Sequence, residues 1–223
     1  ILLAVFLIVP ILWAFVGSFT NATLTGVTAT SPEWVGSENY ERLFADPDFS
    51  LSLWLTVIFT VLSAVIGQNV LGFAIAFAMT RAHRRMAAIG GGVIVLAWVL
   101  PEIVAAFVAY AFFSRDGTLN QLLGIVGLTG DNWLFIAPMA TIILANVWRG
   151  TAFSMLIYRA ALAEVPPELI EAAEIDGANG WQRLVRVTLP VLRGTIATTL
   201  MLITLQTLSV FTLIYVMTAG GPG

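Results

Sequence analysis

Cysteine and lysine are both absent from the 223 residues, histidine occurs once, and only 10% of the chain is charged. Without cysteine there are no disulfides, thiolate metal sites or cysteine nucleophiles. Without lysine, a phosphate-binding Gly-Lys-Ser/Thr loop and a Schiff-base nucleophile are both excluded, so any ATP chemistry linked to this chain sits on another one. The single His83 lies beside Arg84 and Arg85 and reads as a solvated loop residue, which leaves no metal site to build. The net charge of −3 comes from acids gathered in loops, with no basic patch, and excludes nucleic acid as a partner.

What the chain has instead is apolar surface. Hydrophobic residues make up 59% of it, and three stretches, Ile1 to Pro32, Phe49 to Thr80 and Gly194 to Gly223, hold no charged residue or histidine. A helix needs about 20 apolar residues to cross a bilayer. Apolar runs and their breaks predict spans near Ile1 to Ser18, Ser50 to Thr80, Ala87 to Phe113, Leu134 to Arg159 and Val191 to Thr218. The expectation is an all-α polytopic membrane bundle, one domain over residues 1–223 with five spans. The chain opens inside an apolar segment with no basic leader before it, and so reads as a piece of a longer protein.

Arginine sets the direction. Arg81, Arg84, Arg85, Arg159, Arg183, Arg186 and Arg193 fall in one set of loops, and only Arg42 and Arg115 in the other. Arginine-rich short loops stay in the cytoplasm. Residues 21–49 and 114–133 are therefore expected outside, and residues 160–190 inside.

That inside loop is long, and it reads as two helices. Pro166 and Pro167 suit a helix start, with Glu168, Glu171 and Glu174 favoured near its positive end. Gly177 fits a left-handed corner after a helix running to about Asp176, and Asn179 with Gln182 resembles a capping pair opening the next. Leu169, Ala172 and Ala173 give the first helix a small contact stripe, while Trp181, Leu184, Val185 and Thr188 are expected on one face of the second. The competing reading, an interfacial helix that merely shields the bundle, calls for larger apolar residues than Ala172 and Ala173.

Glu171-Ala172-Ala173, then Gly177, then Val187-Thr188-Leu189-Pro190 resembles the EAA loop of binding-protein-dependent ABC importer permeases, with Val187 where Ile is commoner. Val165 to Glu168, Ile175 to Ala178, Asn146 to Thr151, Gly220 to Gly223 and the Asn39-Tyr40 and Asp46-Pro47 pairs are similar to the carbohydrate branch of that family, and to the first of its two permeases. The resemblance implies that Glu171, Ala172, Ala173, Asp176, Gly177, Leu189 and Pro190 couple to a separate ATPase. It further implies a multi-pass protein of a bacterial-type cytoplasmic membrane with a second permease, two ATP-binding cassette subunits and an external sugar-binding protein. ATP and Mg are expected on the ATPase, and no cofactor on this chain. By the same resemblance a sixth span after the Gly-Gly-Pro motif and a cytoplasmic start before the first span, usual in that family, are expected to lie outside this sequence.

Ionisable groups inside spans need partners or water. Glu102, just after Pro101, and Arg149, beside Trp148, are therefore candidates for a solute pathway, along with the neutral Gln68, Asn69, Asn146 and Gln206. Each could instead join helices. A di- or oligosaccharide fits neutral donors and acceptors; the alternatives are an ABC permease for another solute, or an ion-coupled secondary transporter. The latter shows inverted repeats and acidic ion sites, and only Glu102 could serve there.

Overall fold

A computed structural model describes residues 4–220. Ile1 to Leu3 of the first expected span and Gly221 to Gly223 of the terminal glycine motif lie outside the described residues. Among those described the chain is helical, with an isolated bridge between Thr20 and Trp34 in place of any sheet. Taken over 1–223 as one domain by sequence, the chain groups into two compact units, one ending at Thr56 and the other starting at Val57.

The first unit begins with the apolar helix α1 (Val5–Gly17) and carries the amphipathic helix α2 (Glu38–Ala45). Asn39 Nδ2 donates to the Ser18 carbonyl at 2.9 Å and to the Thr20 carbonyl at 2.8 Å. The Tyr40 hydroxyl lies 2.6 Å from Ser18 Oγ, and Phe19 stacks on Trp34 with ring centroids 5.4 Å apart. The Asn39-Tyr40 pair thus fastens the loop to the end of α1.

Helix α3 (Pro47–Arg81) contains a π-helical stretch at Val61–Gln68, and with α7 (Pro138–Ala163) it is one of two unbroken helices among the described residues that are long and apolar enough to cross a membrane. Where spans are expected over 50–80 and 134–159, the structure has helices over 47–81 and 138–163, the first longer by a few residues and the second shifted four residues along the chain. At 13 residues, Val5–Gly17 is short of a span by itself.

The other two expected spans are broken. Ala87 to Phe113 is not one helix: α4 (Arg84–Val99) ends at Leu100, α5 (Glu102–Phe113) starts after Pro101, and α4 meets the stretch Glu102–Ile125 at 105°. Proline lacks an N–H and forces the residue before it out of the helical region; Leu100 sits at φ −58, ψ 136. Helix α6 (Thr118–Ile125) follows in the loop. Val191 to Thr218 is likewise divided, into α10 (Arg193–Leu208) and α11 (Thr212–Thr218). Among the described residues, counting Arg84–Val99 with Glu102–Ile125, and Gly180–Val191 with Arg193–Leu208, as one bent span each gives up to four crossings.

Helix α7 is the axis of the second unit. Ala76, Met155 and Tyr158 form one buried cluster between α3 and α7, and Phe73 meets Tyr158 edge to face at 5.3 Å. Close approach depends on missing side chains: a Cβ on Gly72 would collide with Ser154 and lie 2.9 Å from the Met155 nitrogen, and one on Gly150 would collide with the Gln68 carboxamide. A second cluster, including Ala106, Ala109, Leu213 and Met217, binds α5 to α11.

Candidate functional site

The loop at the base of α7 folds as a helix, a corner and a helix. Helix α8 (Pro167–Ile175) starts on Pro167, whose absent N–H would have had no intrahelical partner. It closes in a Schellman-like pattern, with the Ala178 N–H reaching the Ala173 carbonyl at 2.9 Å and the Gly177 N–H reaching the Glu174 carbonyl at 3.0 Å. Gly177 has φ +79, and a Cβ there would meet nothing within 4 Å. The corner is thus chosen by backbone conformation and not by crowding. Asn179 Oδ1 accepts from the Gln182 N–H at 2.9 Å and Gln182 Oε1 from the Asn179 N–H at 2.8 Å, a complete capping box.

Helix α9 (Gly180–Val191) continues through Pro190 and meets α10 at 71°, so Pro190 lies inside it and the bend comes at Leu192. Its residues Leu184–Thr188 are π-helical, which changes the phase of the faces. The expected single stripe is accordingly split: Thr188 is buried and Leu184 half-buried, while Trp181 is 72% exposed. Arg183 reaches back across the corner to pair with Glu174.

Of the expected coupling residues, Glu171, Ala172, Asp176, Gly177 and Pro190 are exposed, and Ala173 and Leu189 half-buried. Ile175, beside the corner, is 87% exposed; in the sequence it stood out only as the first residue of the Ile175 to Ala178 string. A cavity of about 570 Å³ separates the loop from the ends of α3 and α7, with Arg81, Glu171, Glu174 and Arg183 among its walls.

The expected pathway residues divide into two groups. Gln68 and Asn146 are 97% buried and belong to a helix-joining network. Asn146 Nδ2 donates to Ser63 Oγ at 3.0 Å and to Thr207 Oγ1 at 3.4 Å; Gln68 Nε2 donates to the same Thr207 oxygen at 3.4 Å. Asn69 accepts from the Tyr158 hydroxyl. These three bind α3, α7 and α10 together, the helix-joining role weighed above.

Glu102, Arg149 and Gln206, in contrast, line one cavity of about 550 Å³ together with Trp98, Leu205, Ser209 and Val210. Arg149 Nε is buried without a hydrogen-bond partner. Glu102 Oε1 accepts from the Leu213 N–H at 3.1 Å. Trp98 gives this cavity an aromatic wall; only its distance of three residues from Pro101, where the chain turns, could have marked it in the sequence. Another cavity, of about 490 Å³ between α5 and α7, is walled by Val108, Phe112, Leu144 and Trp148 among others and offers almost no hydrogen-bonding groups.

Comparison with known proteins identifies the architecture. The family described as "binding-protein-dependent transport system inner membrane component" matches residues 68–222. The trehalose/maltose transport system permease protein MalF of Thermococcus litoralis is 32% identical over 98% of this chain and 74% of its own length. The sulfoquinovosyl glycerol transport system permease protein SmoG of Agrobacterium fabrum is 32% identical over 100% of this chain and 72% of its own. Among solved structures, a bacterial ABC transporter that imports the acidic polysaccharide alginate aligns over 93% of this chain and 70% of its own, at 23% identity and a TM-score of 0.76, so the fold is shared. With the helix–corner–helix in place, two unbroken apolar helices at its centre and more than half its length matched, this chain belongs to the family of inner membrane components of binding-protein-dependent transport systems.

Proposed function

We propose that this chain is the permease subunit of an ATP-driven sugar importer, taking up a di- or oligosaccharide and coupled to a separate ATPase through residues 167–191. The observation that carries the coupling is the exposed helix–corner–helix, with Gly177 at φ +79 and Ile175 and Trp181 turned out to solvent at the corner. Small residues at Ala172 and Ala173 let a partner backbone approach, and the two exposed apolar groups supply anchors of the kind that dominate interfaces.

The sugar assignment rests on the names of the relatives above and on the chemistry of the 550 Å³ cavity. An aromatic face at Trp98 with Glu102, Arg149, Gln206 and Ser209 around it matches a ring with an apolar face and hydroxyl edges. Gln68, Asn69 and Asn146 act behind this wall, holding the helices that form it. The assembly contains a second permease, two ATP-binding cassette subunits that bind ATP and Mg, and an external sugar-binding protein.

Reconstitution of all subunits in vesicles, with trehalose and maltose as probes, tests this reading. ATP with no ion gradient is expected to drive uptake. Uptake by this chain alone, driven by a proton or sodium gradient, overturns it.

A further inference from the structure

Two breaks in the helices of the second unit meet at one carboxyl group. The first break, at Leu100 and Pro101, is followed at once by Glu102 in the first turn of α5. The second, between Leu208 and Thr212, leaves the opening amides of α11 without intrahelical acceptors. Glu102 Oε1 supplies one, accepting from the Leu213 N–H across 111 residues of sequence. Behind this bond Ala106, Ala109, Leu213 and Met217 pack α5 against α11, so the two short helices share a core.

The same carboxyl group faces the 550 Å³ cavity, where Glu102 and Arg149 are the charged groups among the lining residues. The two do not pair here, and Arg149 Nε has no hydrogen-bond partner. A buried, unpartnered guanidinium nitrogen at membrane depth is costly. Glu102 thus bonds the Leu213 amide and shares a cavity wall with Arg149, a second group of opposite charge whose Nε is unpaired. A carboxylate with two alternative partners is what a two-state element can be built from.

We propose that Glu102 is the latch of a gate over this cavity. Bonded to Leu213, it keeps α5 and α11 together, and these swing as one body on the breaks at Leu100–Pro101 and Ser209–Phe211. Turned towards Arg149, it releases the amide of α11 and lets the gate change position. Glu102 is then a positioning residue for transport, and Arg149 is the counter-charge that its second position needs. The proposal rests on the importer reading, because nucleotide on the partner ATPase is what drives the exchange.

The chain has no cysteine, so Ser209→Cys at the second break gives a single reporter on it. In the complete assembly, the rate of labelling by an impermeant maleimide is measured without nucleotide and with Mg-ATP and vanadate. Glu102→Gln keeps an acceptor oxygen for Leu213 and loses the charge, so its nucleotide-free rate should stay within about twofold of the parent while its response to nucleotide disappears. Arg149→Gln should lose the response in the same way, and the double variant should be no worse than either single one. Glu102→Ala removes the latch and should speed nucleotide-free labelling about tenfold. Should Glu102→Ala not assemble, the two glutamine variants decide. A full nucleotide response in Glu102→Gln, or an unchanged nucleotide-free rate in assembled Glu102→Ala, overturns the latch. No response in the parent, with the ATPase bound, counts against the importer reading instead.

Discussion

Glu174, near the end of α8, pairs with Arg183 on α9 and so closes the corner that Gly177 opens. The Glu174 side chain is 56% exposed and that of Arg183 25%, so water screens the pair and its contribution is about 0.5–1 kcal/mol. Its importance is geometric: it fixes the angle at which two helices meet a partner. Glu174→Arg or Arg183→Glu alone is expected to reduce transport about two- to fivefold, and the swapped double variant to recover it. Equal loss in the double variant shows that the pair does not set the angle. The single-variant defects should shrink as salt is raised, because the pair itself then matters less.

At Gly177 the structure refines what substitution should do. Since a Cβ meets nothing within 4 Å, the penalty is that of left-handed backbone, about 1–2 kcal/mol for an ordinary side chain. Asparagine tolerates that region and a β-branched residue does not. Gly177→Asn should therefore transport near the parent rate, while Gly177→Val inserts at normal levels and loses most of its transport. Uptake and ATPase pull-down are measured on the same membranes. Equal behaviour of the two variants contradicts the conformational account.

Residues 21–49 should face outside and residues 160–190 the cytoplasm, on the distribution of arginine. Asp46→Cys and Gln182→Cys in this cysteine-free chain should label from opposite sides of intact cells. Labelling of Asp46→Cys only from the cytoplasmic side inverts the topology.

Gly72 should tolerate nothing larger. A valine there would drive α3 away from Ser154 and Met155 on α7, and overpacking of this kind costs about 1–3 kcal/mol. Thermal unfolding of the purified protein should shift down, with Gly72→Ala intermediate. By contrast Gly90, where a Cβ meets open space, should accept alanine without loss.

The corner and its cap were legible because every part is local. Pro167, Gly177, Asn179 and Gln182 act on backbone within four residues of themselves, and the sequence carries those rules directly. The faces of α9 were less so, since the π-helical turn at Leu184–Thr188 shifts a phase that ordinary helical spacing assumes. The bend at Pro101 could be anticipated as a kink, though not its 105° angle, which depends on what α5 packs against.

By itself the sequence determined the solvent of this protein, the helical class and the design of the segment at 167–191, because composition and turn chemistry need no distant partner. Only the tertiary structure decided which polar residues are walls and which are joints. Asn146 and Gln206 look alike in sequence, yet one is spent on Ser63 and Thr207 while the other lines a cavity. The break before α11 belongs to the same class: no proline marks it, and its free amide at Leu213 is satisfied by Glu102 from another helix. Hydrogen bonds across 61 to 139 residues are contacts of the folded bundle, and no local pattern encodes them.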